Sequence, residues 1–141
     1  MTLSNGIAFF EDPDDWWGAA RISRSETRSG GFVIVPYEGL QITTMLTARK
    51  MELILLLNEE LLADMKKGES AEVRGWRSVE DLIPLLDHPT QQVETLRRTI
   101  WEINRDFRRA AAKVLSNGQM PRLIETKRQI GVRLHWPLRL A

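Results

Sequence analysis

The spacing of apolar and polar positions divides the chain into strand-like and helix-like stretches. Residues 30–42, GGFVIVPYEGLQI, are rich in β-branched and aromatic side chains, and Pro36 and Gly39 mark a turn, so a β-hairpin is predicted there. IAFF at 7–10 and the residues around Ile22 supply further strands, with the acidic, turn-like EDPDDWW between them. From Thr47 the period becomes helical. Thr47 is placed to cap the helix, with Leu46 and Met51 as a hydrophobic staple and Gly68 as the stop. Met51, Ile54, Leu55, Leu61, Leu62 and Met65 fall on one face of this first helix.

AEVRGW at 71–76 reads as a short strand. Ser78 with Asp81 three residues on resembles a capping box that opens a second helix, VEDLIPLL, which Pro84 bends or shortens. After a DHPT loop the longest helix is predicted from about Gln91 to Leu115. Its apolar stripe is Val93, Leu96, Ile100, Ile103, Phe107, Ala110 or Ala111, and Val114, and SNG at 116–118 ends it. RLIET and VRLHW then form two strands joined by KRQIG. The expected fold is α+β: N-terminal antiparallel strands in a β-rich segment at 1–45, packing on the same domain. Residues 46–141 then supply three helices and a C-terminal β-hairpin, the order of a winged helix–turn–helix.

Composition narrows the functions open to this chain. With 141 residues, 43% apolar and 28% charged, it suits one soluble domain with a real core. There is no cysteine, which excludes disulfides and thiolate metal sites and fits a reducing cytoplasm. The longest apolar run, LILLL, is too short to span a bilayer, and the N-terminus lacks the features of a signal peptide. The only histidines are His88 and His135, no glycine-rich phosphate loop occurs, and serines lack a plausible His–Asp order. No enzyme, catalytic residue, cofactor or metal site is expected.

Charge is the informative property. From Gln91 to the end, eleven Lys or Arg stand against four Asp or Glu, a net of +7 inside a whole-chain net of +1. On a wheel of 100° per residue with Ile100 at zero, the apolar stripe occupies about −80° to +20°. Arg97, Arg98, Arg105, Arg108 and Arg109 all lie between about 60° and 180°, with Trp101 near 100° among them. Arginine's planar fork grips phosphates and guanine edges bidentately. Glu94 with Arg98 and Glu102 with Arg105 are possible pairs along the helix, the ordinary alternative for such a face. A second basic group, Lys127 and Arg128 in the hairpin turn with Arg133 on the return strand, adds to the first. Trp101 either packs against the second helix at the edge of the stripe or flanks the arginine strip and contacts the sugar–phosphate backbone; Trp136 is expected in core or sheet packing. The four carboxylates of EDPDD, followed by Trp16 and Trp17, read as a solvated loop or a protein-docking patch that also shields the basic helix.

Residues 107–134, FRRAAAKVLSNGQMPRLIETKRQIGVRL, resemble the winged helix–turn–helix effector domain of OmpR/PhoB-type response regulators. The matching positions are Arg108 and Arg109, Lys113 and Val114, then Pro121, Arg122, Leu123, Ile124 and Thr126, then Gly131. LTARKMELILLL and SVEDLIPLL are similar to the openings of that family's first and second helices. The resemblance runs from about Phe32 to Trp136. It departs from the family at a longer stretch before or at the start of the third helix, at Arg105, and at Gln129, where the family has glycine. No receiver domain is expected, so control would come from a partner, from abundance or from the N-terminal segment.

The resemblance implies sequence-specific binding of double-stranded DNA, commonly by paired copies, with a homodimer possible and RNA polymerase or another regulatory protein as a further partner. Together these features predict a stand-alone, cytoplasmic transcriptional regulator. Its candidate DNA-binding residues are Arg97, Arg98, Trp101, Arg105, Arg108, Arg109, Lys113, Lys127, Arg128 and Arg133. The alternative is a winged-helix protein-interaction module with little or no DNA binding.

Overall fold

Alternating inward and outward residues build the N-terminal sheet. In the computed structural model, which describes residues 19–27, 29–86, 92–115 and 121–140, three strands form an antiparallel meander. They are β1 (Arg21–Arg24), β2 (Gly31–Tyr37) and β3 (Leu40–Leu46). Ile22, Val33, Val35, Ile42 and Leu46 are buried. Glu38 and Gly39 join β2 to β3 with φ of 51° and 79°, and paired positive φ values give a two-residue turn whose twist suits a hairpin. Of the other N-terminal predictions, the strand around Ile22 is β1, whereas IAFF and EDPDDWW lie outside the described residues, as do His88 and SNG.

α1 (Ala48–Lys66) begins where the Thr47 hydroxyl accepts from the Lys50 amide at 3.5 Å. It ends with Gly68 at φ 82°. There the Gly68 amide donates to Met65 and the Glu69 amide to Asp64, the paired bonds of a Schellman cap. Its buried arc is wider than the single stripe expected. Leu53, Leu57, Asn58 and Asp64 are buried beside Met51, Ile54, Leu61 and Met65, while Leu55 and Leu62 are half-buried. The cause is packing on several sides, against β2, β3, the third helix and the C-terminal hairpin.

AEVRGW is not a strand. The Val73 and Arg74 amides both donate to Ser70, and Gly75 turns back at φ 83° to donate its amide to Asp64 at 2.7 Å. Only Arg77, just beyond, bridges to Val132. α2 (Val79–Leu82) is capped by the Ser78 hydroxyl, which accepts from the Asp81 amide at 3.1 Å. Pro84 converts its continuation into a 3-10 turn at Ile83–Leu85. α3 (Val93–Ala112) buries Leu96, Thr99, Ile100, Ile103, Phe107 and Ala111, while Val114 beyond its end is exposed. The C-terminal hairpin pairs β4 (Ile124–Lys127) with β5 (Gly131–Leu134).

A last strand, β6 (Arg139–Leu140), was not anticipated. It adds parallel to β1, with Arg21 opposite Arg139, and gives the sheet order β3-β2-β1-β6. Buried Asn58 on α1 fixes its approach by donating to the Leu138 carbonyl at 2.9 Å and accepting from the Leu138 amide at 2.8 Å. Among the described residues the architecture is α+β, with three helices, a four-stranded sheet and a two-stranded hairpin. Residues of the sheet, all three helices and the hairpin share one apolar core.

Candidate nucleic-acid interface

The amphipathic pattern of α3 decides which side chains it presents. With its apolar stripe in the core, Arg97, Arg98, Trp101, Arg108 and Arg109 are exposed along the helix, as is Lys113 just past its end. The carboxylates of the same helix are mostly drawn elsewhere. Lys50 on α1 binds Asp106 at 3.0 Å and reaches Glu102 at 3.9 Å. Burial pushes the Asp106 carboxyl up, but bonds from Lys50 and Arg105 outweigh it and hold the group below the usual range. Of the two helix pairs expected, neither forms: Glu94 lies 4.0 Å from Arg97, and Arg105 binds Asp106 at 3.0 Å. The Glu94 contact joins two exposed side chains and neutralises little. Among the described residues, Arg98, Arg108, Arg109 and Lys113 have no acidic partner.

The hairpin stands across from this strip. Asn104, on α3 between the apolar stripe and the arginines, donates to the Ile124 carbonyl and accepts from the Ile124 amide. The Arg77 amide and carbonyl bond to Val132 at 3.0 and 2.9 Å, fixing the other strand. Gly131 permits that approach: at φ 137°, a Cβ there would lie 2.0 Å from the Arg77 carbonyl oxygen. The turn itself carries exposed Lys127 and Arg128, followed by Gln129 in a left-handed conformation at φ 68°.

Between α3 and the hairpin lies a groove of about 760 Å³. Arg97, Trp101, Arg105 and Arg108 line it from α3, and Lys127 and Arg128 from the hairpin. Ile100, Phe107 and Val132 supply apolar surface. The basic Arg122, whose guanidinium donates to the Thr126 hydroxyl at 3.1 Å, also lines the groove, although it was not among the predicted site residues. Glu80 is the one carboxylate among the described lining residues, against six cations, so the groove is strongly positive. Such a surface attracts polyanions and is ill suited to cations.

The structure brings the predicted residues together unequally. Arg97, Trp101, Arg105, Arg108, Lys127 and Arg128 share the groove. Arg98 lies with Glu94, Thr95, Arg97 and Trp101 around a second, shallower hollow, and Arg109 and Lys113 continue the exposed strip. Trp101 is 59% exposed and does not pack into the core; the Arg105 guanidinium stacks 5.2 Å from its ring centre. Trp136 packs against Phe107 and His135, as core packing requires.

Arg133 lies outside the groove. It binds Glu125 at 2.8 Å, donates to the carbonyls of Ala71 and Arg74, and stacks on Trp76. Burial of Val132 and Leu134 on the other face of the strand turns Arg133 toward the 71–75 turn, where its charge is consumed. Asn104, which sets the position of the hairpin, was also not predicted, and its only local sign is its place beside the apolar stripe.

Among the described residues no group of three or more His, Asp or Glu side chains could hold a metal ion, and no helix is long and apolar enough to cross a membrane. No family model, curated protein or solved structure matches this chain.

Proposed function

We propose that this protein binds double-stranded DNA as a winged helix–turn–helix regulator of transcription, with α3 as the recognition helix and the β4–β5 hairpin as the wing. One observation carries the proposal. Arg97, Arg105 and Arg108 of α3 and Lys127 and Arg128 of the hairpin turn line opposite walls of a single groove, with Arg108 free of any acidic partner among the described residues, while Lys50 draws Asp106 and Glu102 of α3 toward α1. The order of three helices followed by a hairpin fits the docking mode in which a helix enters the major groove and the hairpin reaches the neighbouring backbone. A major groove about 12 Å wide admits an α-helix. Exposed Arg108 and Arg109 are the best placed for base edges, with Lys127 and Arg128 suited to phosphates.

Affinity that comes mainly from phosphates falls steeply with salt, because each neutralised phosphate releases condensed counterions. Fluorescence anisotropy on a random-sequence duplex across a salt series tests this. The wild-type chain is expected to bind at low salt. The Lys127→Ala/Arg128→Ala variant should bind more weakly, with a log–log salt slope shallower by about one per lost phosphate contact. Absence of binding at low salt would reject DNA as the ligand and favour a protein-docking role.

A further inference from the structure

We infer that Trp101 is a specificity-determining residue that reads thymine through its C5-methyl group in the major groove. This rests on duplex DNA being the ligand of the α3 groove. The indole projects from the middle of the basic face: with Arg97 it forms the wall shared by the groove toward the hairpin and the hollow beside Arg98. Arg97 and Arg98 lie one turn before it, and Arg105 and Arg108 one and two turns after. Those cations bring any bound duplex against the ring whether or not the ring contributes.

The chemistry of the ring then limits what it can meet. Indole carries a single N–H donor, and the rest of its surface is apolar. Pressing that surface against phosphate oxygens strips water from charged groups and returns little. Among the groups that base edges present in the major groove, the thymine methyl is the apolar one. The Arg105 guanidinium over the ring, itself bound to Asp106, limits the positions the indole can adopt and leaves it standing out from the helix. A thymine beside bases contacted by arginine is therefore the partner that suits an exposed indole at this position.

The test uses the full chain and its Trp101→Ala variant, each selecting from a pool of DNA duplexes with a randomised centre. Wild-type selections should enrich thymine at one or more positions where the variant shows no preference. The enriched duplex is then made with uracil in place of those thymines. The wild type should lose about fourfold in affinity for each methyl removed, the factor expected for one buried methylene-sized group. Trp101→Ala should bind the thymine and uracil duplexes equally. Binding by both proteins with the same enriched sites, or wild-type indifference to uracil, would reject the role of Trp101 while leaving DNA binding in place. Tighter wild-type binding to single-stranded DNA than to duplex would also reject it, since the ring would then be stacking on unpaired bases. No binding to any duplex would reject the DNA reading and this inference together.

Discussion

Asn104 satisfies both backbone groups of Ile124, donating through Nδ2 at 3.0 Å and accepting through Oδ1 at 2.9 Å. One side chain thus substitutes for a neighbouring strand and fastens the hairpin to the helix across the groove. Asn104→Ala removes two net-favourable hydrogen bonds and should cost about 2 kcal/mol. Urea unfolding measures the loss, and amide exchange at Ile124 should accelerate beyond the global change. Unaltered exchange there would mean that the hairpin is held by its other contacts alone.

Asp64 and Arg77 give stability a predictable dependence on pH. Arg77 donates to both Asp64 oxygens at 3.0 Å and to Glu60 at 2.8 Å, which raises its own pKa well above the ordinary value. The hydrogen bonds from Arg77 hold the Asp64 carboxyl below its ordinary 3.8 against the opposing effect of burial, helped by the Gly75 amide. A carboxyl whose pKa is lower folded than unfolded stabilises the fold at neutral pH, and that stabilisation is lost as pH falls through the acidic range. Asp64→Asn should cost about 1–2 kcal/mol at pH 7, because the charge-assisted hydrogen bonds are part-buried and Arg77 keeps Glu60. The gap to wild type should narrow below about pH 4. Parallel denaturation curves at both pH values check the sign.

Gly131→Ala is expected to unseat the hairpin. Its Cβ would meet the Arg77 carbonyl oxygen at 2.0 Å, and φ 137° is itself strained for any residue with a side chain. The loss should exceed about 2 kcal/mol, combining backbone strain with a broken Arg77–Val132 bridge. A thermal melt within error of wild type would contradict this.

Arg74→Met should stabilise the protein. Arg74 is 4% exposed, its Nη1 has no hydrogen-bond partner among the described residues, and burial followed by the charge of Arg133 lowers its pKa. Replacing a buried, unpaired cation with an apolar side chain of similar length should gain about 1–2 kcal/mol. Chemical denaturation decides the sign directly.

What could be read from the sequence was local. The caps at Thr47 and Ser78 lie within three residues of the amides they accept from, and both form. The arginine strip follows from a twenty-residue helix with an unambiguous apolar stripe. Arg133 was harder, because alternation in a strand tells which face a residue occupies but not what covers that face; here Glu125 and the carbonyls of Ala71 and Arg74 do. AEVRGW has strand-like composition, yet a distant carboxylate, Asp64, bends it into a turn. The groove itself depends on Asn104 meeting Ile124 twenty residues away, and β6 on Asn58 meeting Leu138 eighty residues away. No periodicity encodes such meetings.

The parallel pairing of β1 with β6 also orders events during synthesis. Residues 21 and 139 are opposite one another, so the sheet cannot close until nearly all of this stretch has left the ribosome. Until then Asn58, on a helix made much earlier, has no Leu138 backbone to satisfy it, and the core lacks its Leu138 side chain. Contacts so distant along the chain form slowly because the intervening loop must be closed first. A nascent chain halted before residue 138 should therefore carry helices without a completed core, exposed to proteases until the last strand arrives.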